Sequence, residues 1–143
     1  MKSTIAFWVI GAVGLICMMQ LTETDATLWH GKQVMQYFQR VRQDKTKNRV
    51  YLLDVKRGVR LNLRGPLFQN ALCLPHGTKL SSDCLNRMVD KARQHENKFY
   101  AKFTYACKGH AEYSSACLEK ARPEYYRDLK NLAKETIQCL KVK

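Results

Sequence analysis

Apolar residues recur along this chain mostly at the three- and four-residue steps of amphipathic helices, and in one place at the two-residue step of a strand. From Thr27, the residues Leu28, Met35, Phe38 and Val41 mark one face of a helix that runs to about Gln43, with Val34 and Tyr37 beside it and Gly31 weakening its first turn. Asp44 to Asn48 is a polar, basic break. Val50 to Val55 is apolar, and Val59-Arg60-Leu61-Asn62-Leu63-Arg64 alternates strictly. A strand needs a partner, and no second good strand is visible, so this region reads as a short helix followed by an extended segment that Gly65-Pro66 ends. Leu67 to Leu74 suits a short helix or a buried connection, and Pro75, Gly77 and Ser81-Ser82 form a loop.

The strongest helical pattern follows. Ser82 or Asp83 can cap it, and Cys84, Met88, Ala92, His95, Phe99, Phe103 and Ala106 share one face, widened by Leu85, Val89 and Tyr100. Gly109 is the expected stop. Ala111 to Ala121 forms the next helix, and Pro123 opens a last one with Tyr125, Leu129, Leu132, Thr136, Ile137 and Leu140 on its apolar face. Glu124 and Asp128 then fall near its positive end, and Lys141 and Lys143 at its negative end. The predicted fold class is all-α: a small disulfide-stabilised helical bundle with three consecutive antiparallel helices in its C-terminal half.

The first residues are of another kind. One positive charge at Lys2, an apolar run from Ile5 to Met19 and a polar stretch ending in Thr24-Asp25-Ala26 have the order of a secretory signal peptide. The run is shorter than the ~20 residues a membrane-spanning helix needs, so no transmembrane anchor is expected. The expected division is a signal peptide over residues 1–26 and one secreted domain over residues 27–143. Removing residues 1–26 takes away Lys2, Glu23 and Asp25 and leaves 24 Lys+Arg against 10 Asp+Glu. Such an excess attracts anionic partners at long range. Outside the cell these are heparan sulfate, polyphosphate, anionic membranes or acidic protein faces rather than genomic nucleic acid.

Cysteine usage fits export. Cys17 leaves with the signal, and Cys73, Cys84, Cys107, Cys117 and Cys139 remain, an odd set that allows two internal disulfides and one leftover thiol. In an up-down-up bundle the ends of the first and third helices lie together. The favoured bridge is therefore Cys107–Cys139, with Cys117 joined to Cys73 or Cys84.

Catalytic patterns are missing from the sequence. His30, His76, His95 and His110 are scattered without metal-ligand spacing. There is no adjacent cysteine pair of the secreted phospholipase kind, no Gly-x-Ser-x-Gly and no phosphate-binding glycine loop. A non-enzymatic protein without cofactor or metal is expected. The densest chemistry is the basic segment Arg40, Arg42, Lys45, Lys47, Arg49, Lys56, Arg57, Arg60 and Arg64, opposed only by Asp44 and Asp54. Three readings stand: a solvated face, a polyanion site, or a protein-binding surface in which Val50, Leu52, Leu53, Leu61 and their neighbours serve as apolar anchors ringed by arginine.

The helical patterns Cys84–Cys107, Ala111–Ala121 and Pro123–Leu140, set with Cys73, Cys84, Cys107, Cys117 and Cys139 in a small basic body behind a signal peptide, resemble the anopheline mosquito salivary proteins of the albicin and anophensin kind. The resemblance implies a secreted inhibitor of a host plasma cascade. Albicin-like proteins bind the C3 convertase of the alternative complement pathway. Anophensin-like proteins bind factor XII and high-molecular-weight kininogen of the contact system. The implied partner is thus a host plasma protein complex, with a polyanion such as heparan sulfate as the alternative.

Overall fold

A computed structural model describes residues 25–41, 45–108 and 115–142. Residues 1–24 of the leader expected over 1–26, the basic Arg42, the stop at Gly109 and His110 lie outside the described residues. The regular elements among the described residues are helical, and their one β pairing is an isolated antiparallel bridge between Leu80 and Lys141. The elements are α1 (Asp25–Phe38), α2 (Arg49–Gly58), a π-helical run (Val59–Arg64), α3 (Gly65–Leu72), α4 (Ser82–Ala106) and α5 (Ser115–Cys139). Among the described residues no helix is long and apolar enough to cross a membrane.

The centre is an antiparallel hairpin of α4 and α5. The Ser81 hydroxyl accepts from the Cys84 N–H and caps α4, one residue before the expected Ser82. Cys84, Leu85, Met88, Val89, Ala92, Phe99 and Phe103 are buried along α4 as the periodicity requires. His95 is not among them. Glu96 takes the inward place, and the half-exposed His95 lies 3.7 Å from Asp128.

Residues 115–139 form one helix with Pro123 inside it, not two helices broken at the proline. Proline lacks an N–H, so the Glu119 carbonyl loses its usual acceptance from that position, at a cost of roughly 3 kcal/mol. Burial of Leu118, Ala121, Tyr125, Leu129, Leu132 and Ala133 on either side of it keeps the rod continuous. Glu124 and Asp128 are consequently mid-helix residues. They face lysines of α4, with Lys98 at 2.8 Å from Glu124, Lys102 also on Glu124, and Lys98 at 3.8 Å from Asp128.

Merging two expected helices into one reverses the end at which Cys139 lies. The bridge is Cys84–Cys139, spanning 55 residues, and not Cys107–Cys139. Cys107, at the far end of α4, lies against Cys117 near the start of α5, so Cys117 joins neither Cys73 nor Cys84. Cys73 is itself disulfide-bonded.

The remaining helices pack on this hairpin. α1 buries His30, Gly31, Val34 and Phe38, a face turned by about a residue from the one marked by Leu28 and Met35. Gly31 permits contact with α3, because a Cβ there would lie 2.7 Å from Phe68 and 3.0 Å from Leu72. His30 Nε2 lies 2.7 Å from the Thr78 carbonyl and so carries the proton donated to it. The expected extended segment is helical instead. Residues 49–72 run as one continuous helical rod whose middle turn is widened to π geometry. Gly58, Asn62, Leu63 and Leu67 face inward along it, a helical period that the alternation of residue types conceals. The buried Asn62 amide is satisfied by the Gly58 carbonyl at 3.1 Å.

Replacing Cys84 and Cys139 together by alanine frees a 55-residue loop in the unfolded chain. The expected loss is about 2–4 kcal/mol, read as a lower denaturation midpoint with the far-UV helical signal retained.

Candidate functional site

The basic segment begins at a helix start. The Asn48 side chain accepts from the N–H groups of Val50 at 2.9 Å and Tyr51 at 3.2 Å, which opens α2 after the polar break. Two buried carboxylates then fix its rotation. Asp54 accepts from Arg122 Nε at 2.7 Å and from the Tyr126 hydroxyl at 3.2 Å. Glu96 accepts from the Tyr51 hydroxyl and from Lys47 Nζ, each at 3.1 Å. The Tyr51 ring lies within an aromatic cluster, 5.2 Å from Phe99, 5.0 Å from Phe103 and 5.1 Å from Tyr100, and Phe99 stacks on Tyr125 at 4.4 Å. Gly58 completes the contact with α5, because a Cβ there would meet the Tyr126 ring at 2.7 Å.

This geometry divides the nine basic positions. Lys47 is half-buried, paired with Glu96 and set 4.3 Å over the Tyr100 ring, so its charge serves the fold. Arg40 donates to Asn86 at 2.8 Å and lies 5.5 Å over Tyr37. Arg42 is outside the described residues. Lys45, Arg49, Lys56, Arg57 and Arg60 are exposed, and Arg64 is half-buried. Lys45, Lys56, Arg60 and Arg64 border one groove of about 520 Å³ that reaches down to Phe38, Val55 and Tyr125. Lys56, Arg57 and Arg60 border a second, of about 400 Å³, together with Val50, Leu53, Leu118 and Arg122.

The interleaved apolar residues divide too. Tyr51, Val55 and Leu63 are core, and Leu52 and Val59 pack beside it. Val50, Leu53 and Leu61 are 41%, 59% and 57% exposed. Leu118 and Arg122 reach the second groove from α5, far away in sequence and with no local pattern to mark them. Among the described residues no group of three or more His, Cys, Asp or Glu side chains converges as a metal site.

The buried phenols set the alkaline limit. Burial raises Tyr51, Tyr125 and Tyr126 above their ordinary value of 10.0, and the neighbouring charges of Glu96 for Tyr51 and Tyr125, and of Asp54 for Tyr126, add to it. A phenol raised in the folded state contributes its full stability below the unfolded value and loses it as pH rises. Stability is therefore expected to be flat to about pH 10 and to fall beyond, by up to ~1.4 kcal/mol per pH unit for each phenol. Urea midpoints taken between about pH 8 and pH 11 check this, and Tyr51→Phe should flatten the decline.

The chain as a whole is similar to known proteins. The profile described as "Aegyptin, C-terminal domain" matches residues 24–140. A gSG7 salivary protein of Anopheles stephensi is 45% identical over 129 residues, covering 90% of this chain and 91% of that protein. A mosquito complement inhibitor from Anopheles freeborni superposes with a TM-score of 0.74 at 40% identity, over 80% of this chain and 96% of that one. An anophensin from Anopheles stephensi superposes with a TM-score of 0.62 at 45% identity, over 80% of this chain and 97% of that one. The chain belongs to the aegyptin C-terminal-domain family, among the gSG7 salivary proteins of anopheline mosquitoes.

Proposed function

We propose that this protein is a secreted, non-enzymatic salivary inhibitor that binds a host plasma protein complex, and that its target is the C3 convertase of the alternative complement pathway. The observation that carries the reading is the similarity, over nearly the whole of that chain, to a mosquito complement inhibitor. The structure supports binding over catalysis in a physical sense. The buried carboxylates Asp54 and Glu96 are tied up in contacts between helices, and the outward chemistry of the 49–64 segment is cationic and apolar. Surfaces of that kind recognise acidic protein faces.

A second reading has its own support. The 45% identity to an anophensin favours the contact system, with factor XII and kininogen as targets. Purified oxidised protein lacking residues 1–26 should block alternative-pathway lysis of rabbit erythrocytes in a saturable way at physiological salt. It should leave kaolin-triggered factor XII activation unaffected. The opposite selectivity moves the assignment to the contact system, and equal potency in both assays, reversed by added heparin, makes the protein a polyanion scavenger.

A further inference from the structure

We propose that the outward face of the 49–64 segment is the contact surface, docking on an acidic face of the host protein with Leu53 and Leu61 as apolar anchors. The inference rests on the inhibitory reading above and adds which face performs it. Arg49, Lys56, Arg57 and Arg60 are the cations of this face, and among the described residues no carboxylate comes within ion-pair distance of them. Lys47 and Arg122, by contrast, are engaged by Glu96 and Asp54. Four such cations thus share one side of one helical rod, although exposed cations without a described ion pair, such as Lys120, Arg127, Lys130 and Lys134, also line α5. Guanidinium groups there can each take a partner carboxylate with two hydrogen bonds.

The helix itself supports this assignment. A six-residue π run, Val59–Arg64, is longer than the single-turn bulges that π geometry usually takes, and such distortions gather at functional sites. Here the wide turn draws both Asn62 and Leu63 inward and leaves Arg60 and Leu61 side by side outside. The apolar component separates a protein partner from a polyanion. A polyanion gains from an unbroken row of cations and little from leucine. This face instead carries two leucines more than half exposed, beside a groove of about 400 Å³ bordered by Val50 and Leu118 that can accept a side chain. Apolar anchors within a cationic rim are the arrangement of a protein hot spot.

Surface plasmon resonance can test the face, using immobilised alternative-pathway convertase, factor XII and kininogen at physiological salt. The wild type is compared with Leu53→Ala/Leu61→Ala and Arg57→Gln/Arg60→Gln, and heparin-column elution is run in parallel. All these positions are exposed, so thermal unfolding should match the wild type. Each double variant should bind the wild type's target at least ~10-fold more weakly, while the leucine pair elutes from heparin at wild-type salt. Wild-type affinity in both variants overturns the face alone. Loss confined to the arginine pair, with heparin competing the wild type off its target, overturns it in favour of a polyanion site. Absence of wild-type binding to all three targets overturns the inhibitory reading and the face with it.

Independently, we infer that Cys107 and Cys117 close a disulfide at the connected end of the α4–α5 hairpin, opposite the Cys84–Cys139 bridge. Both are buried in the hydrophobic core, at adjoining helix ends, with their thiols in hydrogen-bond contact. Thiol–disulfide exchange with a small disulfide such as oxidised glutathione would transfer two electrons and two hydrogens, leaving one S–S bond here and two thiols on the oxidant. Protein refolded with oxidised glutathione should yield a non-reduced peptide joining Cys107 to Cys117, with neither position alkylated by iodoacetamide under denaturing conditions. Alkylation of both positions without reductant, or a peptide joining either to another cysteine, overturns the bridge.

Discussion

The placement of the basic helix depends on a carboxylate that cannot be left alone. Glu96 occupies an inward position on α4, where an uncompensated charge would cost several kcal/mol. Lys47 and the Tyr51 hydroxyl satisfy it from the same stretch of chain, one just before α2 and one in its first turn. Once the Tyr51 ring enters the cluster of Phe99 and Phe103, α2 can present only one side to the hairpin. The other side, with Lys56, Arg57 and Arg60, is turned to solvent by default. Asp54 repeats the device one turn later through Arg122 and Tyr126, which removes any remaining freedom to roll.

The same economy explains how a chain of formal charge +13 stays folded. Asp54, Glu124, Asp128 and Glu135 are paired with cations of neighbouring helices, and Glu96 with Lys47 just before α2. The exposed pairs along the hairpin, such as Lys91–Glu135, are individually worth little. Together they remove repulsion where α4 and α5 run closest. α2 and its π extension have Asp54 alone against Arg49, Lys56, Arg57, Arg60 and Arg64, so the scarcity of acids there makes this stretch strongly basic.

Much of the fold was legible in the sequence. The helical class and most of the inward face of α4 follow from three- and four-residue spacing, the helix at residue 50 follows from an apolar run, and residues 67–74 read only as a short helix or a buried connection. What sequence reasoning missed shares a cause, because each miss reflects a local signal outweighed by tertiary packing. Pro123 reads as a helix start, yet burial on both sides carries the helix through it. Val59 to Arg64 alternates like a strand, yet the core selects Asn62 and Leu63 together and widens the turn to do so. The cysteine pairing failed with the helix count, since one helix fewer places Cys139 beside Cys84. Of the basic positions, sequence supplied the set but not its division. Nothing near Lys47 in the chain announces that Glu96, 49 residues on, will claim it.

The π run also gives this chain a cheap way to vary. A widened turn accommodates more residues than α geometry would place over the same rise. A relative shorter by one residue between 59 and 64 could therefore keep both flanking helices packed and simply tighten the turn. The side chains beyond that point would keep their faces, and only the residues within 59–64 would be divided differently between core and solvent. A one-residue deletion here would change which side chains are presented rather than how the helices pack. Closely related salivary proteins could thus aim different combinations of arginine and leucine from the same scaffold, while the hairpin and its disulfide stay untouched.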